Sequence, residues 1–183
     1  MFDVERFTAD CRAAIADDPT HKSVRDIVTR VVSDPSAVLR SLGEPARAGN
    51  NILYRSPTLT ILNIVWGPRM SIMPHNHNMW AVLGIYTGGE DNIFWRRRPD
   101  GGGIEAAGAR SLRVGDVDAL GVDVIHSVLN PVNRLTGAIH VYGGDFVAAE
   151  RSEWDPEHLV EGQFDRDKVQ RMFDESNAAL ARA

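Results

Sequence analysis

A chain of 183 residues can bury a core as one domain without disulfide staples, and 43% hydrophobic with 25% charged residues is an ordinary globular balance. A formal net charge of −5 argues against a dedicated nucleic-acid binder, which carries a basic face. The single cysteine, Cys11, excludes an internal disulfide, and no apolar run approaches the roughly 18 residues of a membrane span. With no long apolar stretch at the N-terminus either, the expectation is a cytoplasmic protein that engages neither membrane nor nucleic acid.

Residues 1–43 are predicted helical. Val4, Phe7, Cys11 and Ile15 recur at helical spacing, and so do Val24, Ile27, Val28 and Val31. On that stripe Cys11 reads as a small buried apolar residue rather than a nucleophile. Ser33-Asp34-Pro35 closes one helix and opens a short one, because Asp or Ser can cap and Pro suits a first turn. Leu42-Gly43 ends it, Gly being free to take positive φ.

From 50 to 148 the pattern changes to short runs of β-branched and aromatic residues: Thr58–Trp66, Trp80–Tyr86, Asn92–Arg97, Val124–Leu129 and Ala138–Tyr142. Turn formers punctuate them, as in Trp66-Gly67-Pro68 and Pro99-Asp100-Gly101-Gly102-Gly103. Many short strands between turn signals predict an antiparallel barrel or sandwich. Arg96-Arg97-Arg98 reads as a solvated strand end, and Trp66, Trp80 and Trp95 as barrel core. Residues 154–182 return to helix, with Val169, Met172, Phe173 and Leu180 on one stripe and Asp165 as its cap. Residues 1–183 therefore read as one mainly β domain with helical flanks.

Four of the six histidines, His75, His77, His126 and His140, fall in the β zone. In Pro74-His75-Asn76-His77 the imidazoles are two apart, so on a strand both point to one face and can chelate one ion. A second stretch runs from Gly115 through His126 to Asn130. Together the two resemble the paired motifs of the cupin superfamily, G-x5-H-x-H-x3,4-E-x6-G and G-x5-P-x-G-x2-H-x3-N. Gly115, His126 and Asn130 keep the spacing, while Gly121 and Asp123 replace the usual Pro and Gly. Ala81 and Val82 occupy the glutamate positions, which leaves a three-histidine site. The neighbouring Glu90-Asp91 lies beyond the expected turn and is not read as a ligand pair.

A three-histidine cupin with Trp66-Gly67-Pro68 before the histidine pair resembles the thiol dioxygenases of the cysteine dioxygenase and 3-mercaptopropionate dioxygenase type. That resemblance implies a cupin double-stranded β-helix barrel with N-terminal helices and a C-terminal helix. It implies Fe(II) on His75, His77 and His126, with Ni, Zn or Cu possible on purification. It also implies catalytic roles for His140 and Tyr142, since Ala138-Ile139-His140-Val141-Tyr142 sits where the family has Ser-x-His-x-Tyr, Ala138 replacing the serine. Tyr54-Arg55 resembles the strand supplying the substrate-carboxylate arginine, and Trp80 is expected to wall the substrate cavity. The implied partners are a small-molecule substrate and O2, the product being a sulfinate; oligomeric state stays open.

Bland readings stand beside these. His140 alone also reads as a strand histidine satisfied by a carbonyl, Tyr142 as a strand anchor and Arg55 as a surface salt-bridge former. Imidazole suits Fe, Zn, Cu and Ni alike, so the ligand type does not fix the metal. Three neutral ligands leave the +2 charge uncompensated and invite an anionic ligand such as a thiolate or an enolate. A diketone-cleaving dioxygenase and a metal-binding sensory protein without turnover are the alternatives.

Overall fold

The computed structural model describes residues 2–182. Three helices lead the chain: α1 (Val4–Asp17), α2 (His21–Val32) and α3 (Pro35–Leu42). Their starts follow cap chemistry. Asp3, Thr20 and Asp34 each accept a backbone N–H of the first turn, and Pro35 opens α3. Gly43 then takes φ 83°, a value that favours glycine. Cys11 is fully buried with Val24, Val28 and Val32, as the helical stripes predict.

Eleven strands follow: β1 (Gly49–Arg55), β2 (Thr60–Trp66), β3 (Ser71–Asn76), β4 (Ala81–Thr87), β5 (Gly89–Arg97), β6 (Ile104–Arg113), β7 (Val117–Leu120), β8 (Ile125–Leu129), β9 (Thr136–Tyr142), β10 (Ser152–Trp154) and β11 (Glu161–Gln163). Helix α4 (Arg166–Leu180) completes the described elements, with Asp165 as its N-cap. The strands form two sheets, ordered β1-β2-β9-β4-β7 and β11-β10-β3-β8-β5-β6. Within them, β2 to β9 are shared out as 2-9-4-7 and 3-8-5-6, every pair antiparallel. That is the eight-stranded double-sheet jelly roll, the double-stranded β-helix of cupins.

Strand alternation divides the core in two. Leu62, Ile64, Ala81, Leu83, Ile85, Ala138 and Tyr142 face inward between the sheets. Their neighbours Ile61, Val82, Ile139 and Val141 face outward and are covered by the helices. Helix α2 lies so close to β4 that a Cβ at Gly84 would collide with Val28 and Val32. Phe173 of α4 joins the inner core and stacks on Trp66, with centroids 5.7 Å apart. No helix among the described residues is long and apolar enough to cross a membrane.

Three features depart from the sequence reading. β6 was not among the clear strand runs; its exposed Glu105–Arg110 face belongs to a sheet edge and carries no apolar alternation. β10 and β11 extend the second sheet into 154–182, read as helical, so α4 begins only at Arg166. Trp80 does not face the barrel interior but packs in the outer cluster that the helices cover.

Candidate metal centre

The histidines are placed by strand register. His75 of β3 stands directly opposite His126 of β8. The pairing slips between Ile72 and His75, where Pro74 has no N–H to give the ladder. His77, two residues on, shares the inward face; the chain then turns at Asn78, whose φ of 55° an asparagine tolerates. All three rings are buried, and one ring nitrogen of each lies within 4.8 Å of the other two. Nε2 of His77 is 3.2 Å from Nε2 of His75 and 3.2 Å from Nε2 of His126.

Those separations suit a cation. Metal–nitrogen bonds of about 2.0–2.1 Å at angles between octahedral and tetrahedral put ligand nitrogens about 2.9–3.4 Å apart. The outer ring nitrogens fix the tautomers that ligation needs. His75 Nδ1–H donates to the Met73 carbonyl at 3.0 Å, and His126 Nδ1–H donates to Asn92 Oδ1 at 2.7 Å. A carbonyl oxygen can only accept, so Nε2 keeps its lone pair in both rings. Burial lowers the His75 imidazolium to about 4, and burial first, then the neighbouring rings, holds His77 and His126 well below the ordinary value. The three are neutral donors. Among the described residues no carboxylate joins them in the cluster, in keeping with Ala81 and Val82.

His140 and Tyr142 lie beside this set on β9. The Tyr142 hydroxyl is 3.1 Å from His140 Nδ1, and its ring meets His77 edge-on at 5.1 Å. Both are buried, and burial raises the Tyr142 hydroxyl far above its ordinary value. The structure thus gathers His75, His77, His126, His140 and Tyr142 in one place.

Arg55 and Trp80 are not gathered there. Arg55 ends β1 with an exposed side chain, and its guanidinium donates to both Asp145 oxygens, at 2.8 and 3.0 Å. Trp80 precedes the inward-facing Ala81, so alternation sends it to the helical side, where its Nε1–H donates to the Pro19 carbonyl at 3.0 Å. There the indole approaches Gly143 so closely that no room is left for a Cβ. Its place is in the outer core.

Three residues the sequence reading did not select complete the centre. Arg151 is 6% exposed, yet its Nε and Nη1 find no hydrogen-bond partner. The guanidinium is stacked between Phe146 and Phe164, 4.0 and 4.1 Å from the ring centroids. Those rings in turn touch His77 and His75, each at 5.7 Å between centroids. Burial lowers the guanidinium to about 10, so it remains a cation at neutral pH. A cavity of about 190 Å³ lined by Leu62, Phe146, Arg151, Phe164 and Phe173 opens beside it. Asn92 and Glu90 lie on β5, facing inward like Phe94. Asn92 Nδ2–H donates to Glu90 Oε1 at 2.9 Å, which fixes the amide with Oδ1 toward His126. Two polar residues alternating in phase with Phe94 are the signal that could have found this pair; a lone loop arginine gives none.

Asn130, the last residue of the second motif, is not a ligand. Its amide donates to the Gly67 and Arg134 carbonyls and accepts from Val132 N–H and the Thr136 hydroxyl, stapling two turns. Gly115, the first, sits at φ 90° in the turn before β7.

No family model matches the chain. Among solved structures it is similar to an RmlC-like cupin family protein with a double-stranded β-helix fold from Methanocaldococcus jannaschii, at 14% identity over 56% of this chain and 85% of that one, TM-score 0.47. It is similar to a Klebsiella pneumoniae protein with a double-stranded β-helix domain, at 12% identity over 60% and 83%, TM-score 0.48. It is similar also to the DMSP lyase DddQ from Ruegeria pomeroyi, at 17% identity over 61% and 53%, TM-score 0.47. A match to oxalate oxidase spans 48% of this chain and only 42% of that one. The strand order assigns the double-stranded β-helix independently of these likenesses.

Proposed function

We propose that this chain is an Fe(II)-dependent dioxygenase that oxidises a small organic thiol bearing an anionic group, RSH + O2 → RSO2H, with both oxygen atoms ending on sulfur. What carries the reading is one juxtaposition among the described residues: three neutral, buried imidazoles without a carboxylate, beside a buried guanidinium that no carboxylate pairs. Such a pair of positive centres accepts a ligand with two negative groups a few bonds apart, a thiolate and a carboxylate. The ion, when bound, would stabilise the thiolate and mediate electron transfer to dioxygen.

The chain's own residues do the rest. Arg151 binds the substrate's anionic end, and its apolar sandwich strengthens that contact by excluding water. Phe146 and Phe164 each contact both the guanidinium and one of the three histidines. Tyr142 holds a hydroxyl against His77's side of the site, oriented by His140.

Oxygen uptake by Fe(II)-loaded protein tests this with a panel of thiols with and without a carboxylate, together with β-diketones. Uptake with carboxylate-bearing thiols and a sulfinate product supports it. Uptake with diketones alone, or with none of the panel, would overturn it.

A further inference from the structure

Glu90 is 0% exposed, and among the described residues no lysine or arginine pairs with it. A carboxylate so placed needs hydrogen bonds to stay charged. Trp66 Nε1–H donates to Oε2 at 2.7 Å and Asn92 Nδ2–H to Oε1 at 2.9 Å. Burial alone would raise the carboxyl, but His140, Asn92 and Trp66 outweigh it and hold it below the usual range. The remaining neighbour is Nε2 of His140, 3.7 Å from Oε2, somewhat beyond hydrogen-bond length.

His140 has the complementary shortage. Nδ1 is engaged by Tyr142, while Nε2 is buried with no hydrogen-bond partner. Ala138, two residues earlier on the same face of β9, presents only a methyl group. A shift of about half an ångström or a little more would bring this unmet donor position within hydrogen-bond range of the carboxylate beside it. Main-chain or side-chain oxygens from β2 and β4, the strands flanking His140, do not reach Nε2, since Leu62 and Leu83 are its register partners.

We propose that Glu90 is the positioning residue of the His140–Tyr142 pair: its carboxylate accepts Nε2–H of His140, which leaves Nδ1 to accept the Tyr142 hydroxyl proton and turns the phenol oxygen's lone pairs toward the histidine cluster. The same carboxylate orients Asn92, and through it His126, so one buried anion sets the ring at a metal ligand and the ring behind the tyrosine. The proposal deepens the oxygenase reading and rests on it for the purpose of the pair, but not for the hydrogen bond itself.

The test is therefore independent of turnover. In zinc-loaded protein with 15N-labelled histidine, long-range 1H–15N correlation spectra report which nitrogen of each ring carries a proton. The expected result is a proton on Nε2 of His140 in the unsubstituted protein, with its resonances displaced in Glu90→Gln. A bare Nε2 in the unsubstituted protein overturns the proposal without any variant, so failure of Glu90→Gln to fold does not shelter it. Unmoved His140 resonances in folded Glu90→Gln overturn it as well. A silent oxygen electrode beside the expected spectra would sink the oxygenase reading and leave this bond standing.

Discussion

His75 and His126 face each other in register across the β3–β8 pair, so a single ion held by both cross-links the two strands at the centre of the second sheet. Binding to the folded state alone stabilises it by about 2.7 kcal/mol when the free ion is 100 times its dissociation constant. For a chain of this size that is a rise of about 5–10 °C in Tm. Thermal melts with and without a chelator should show that difference, and His126→Ala should abolish both it and metal retention. A melt indifferent to chelation in the unsubstituted protein would remove the cross-link.

Asn92 gives the second prediction. Among the described residues it is the only acceptor His126 Nδ1–H has, and an acceptor there fixes both the ring and the tautomer. Asn92→Ala should weaken metal binding about 10- to 100-fold, read by competition with a calibrated zinc chelator, while circular dichroism stays native. Unchanged affinity would mean that packing alone aims His126.

How much of this was legible in the sequence depends on whether the signal was local. His75 and His77 are two apart and His126 lies in a spaced motif, so the metal set could be read directly; the helical stripes carrying Cys11 and Val28 were equally plain. Trp80 was not placed by the alternation that fixes it: His77, Met79 and Ala81 keep the inward phase, so Trp80 falls on the other face. Arg55 and Arg151 could not be ranked either. Which arginine reaches the histidines depends on Asp145 engaging the first and on the Phe146–Phe164 sandwich enclosing the second, contacts made only on folding. Glu90, read as an acid beyond the turn, comes to the site because β5 pairs with β8.

The metal-free protein should be acid-sensitive in a defined window. Burial depresses all three ligand histidines, His75 to about 4, whereas the unfolded chain titrates near the ordinary value of 6.5. Between those limits the unfolded state binds more protons, so stability is fully present above about pH 6.5 and is lost as pH falls toward 4. Each such group costs about 1.4 kcal/mol per pH unit across the window. Melts of chelated protein from pH 7.5 to 5 should fall steeply, and less so for His126→Gln. A flat profile would contradict neutral burial of the rings.

Tyr142→Phe removes one oxygen and keeps the ring that packs on His77 and Phe146. Metal content should stay unchanged while turnover with the best thiol falls about tenfold, through loss of the one hydroxyl that His140 holds toward the cluster. Loss of metal in this variant would instead make the tyrosine part of the shell.

The two arginines separate the anchoring role. If Arg151 binds the substrate's carboxylate, Arg151→Gln removes a charge-assisted contact of about 1.5–3 kcal/mol in an apolar setting. KM for a carboxylate-bearing thiol should then rise about 10- to 100-fold, while a thiol without the carboxylate is affected little. Arg55→Ala breaks an exposed pair with Asp145 that water screens and that contacts none of the three histidines, so KM should change by less than about threefold. The two substitutions predict opposite rankings for one measurable constant. A larger KM effect from Arg55 would return the anchor to β1 and leave the buried guanidinium with a structural role between its two phenylalanines.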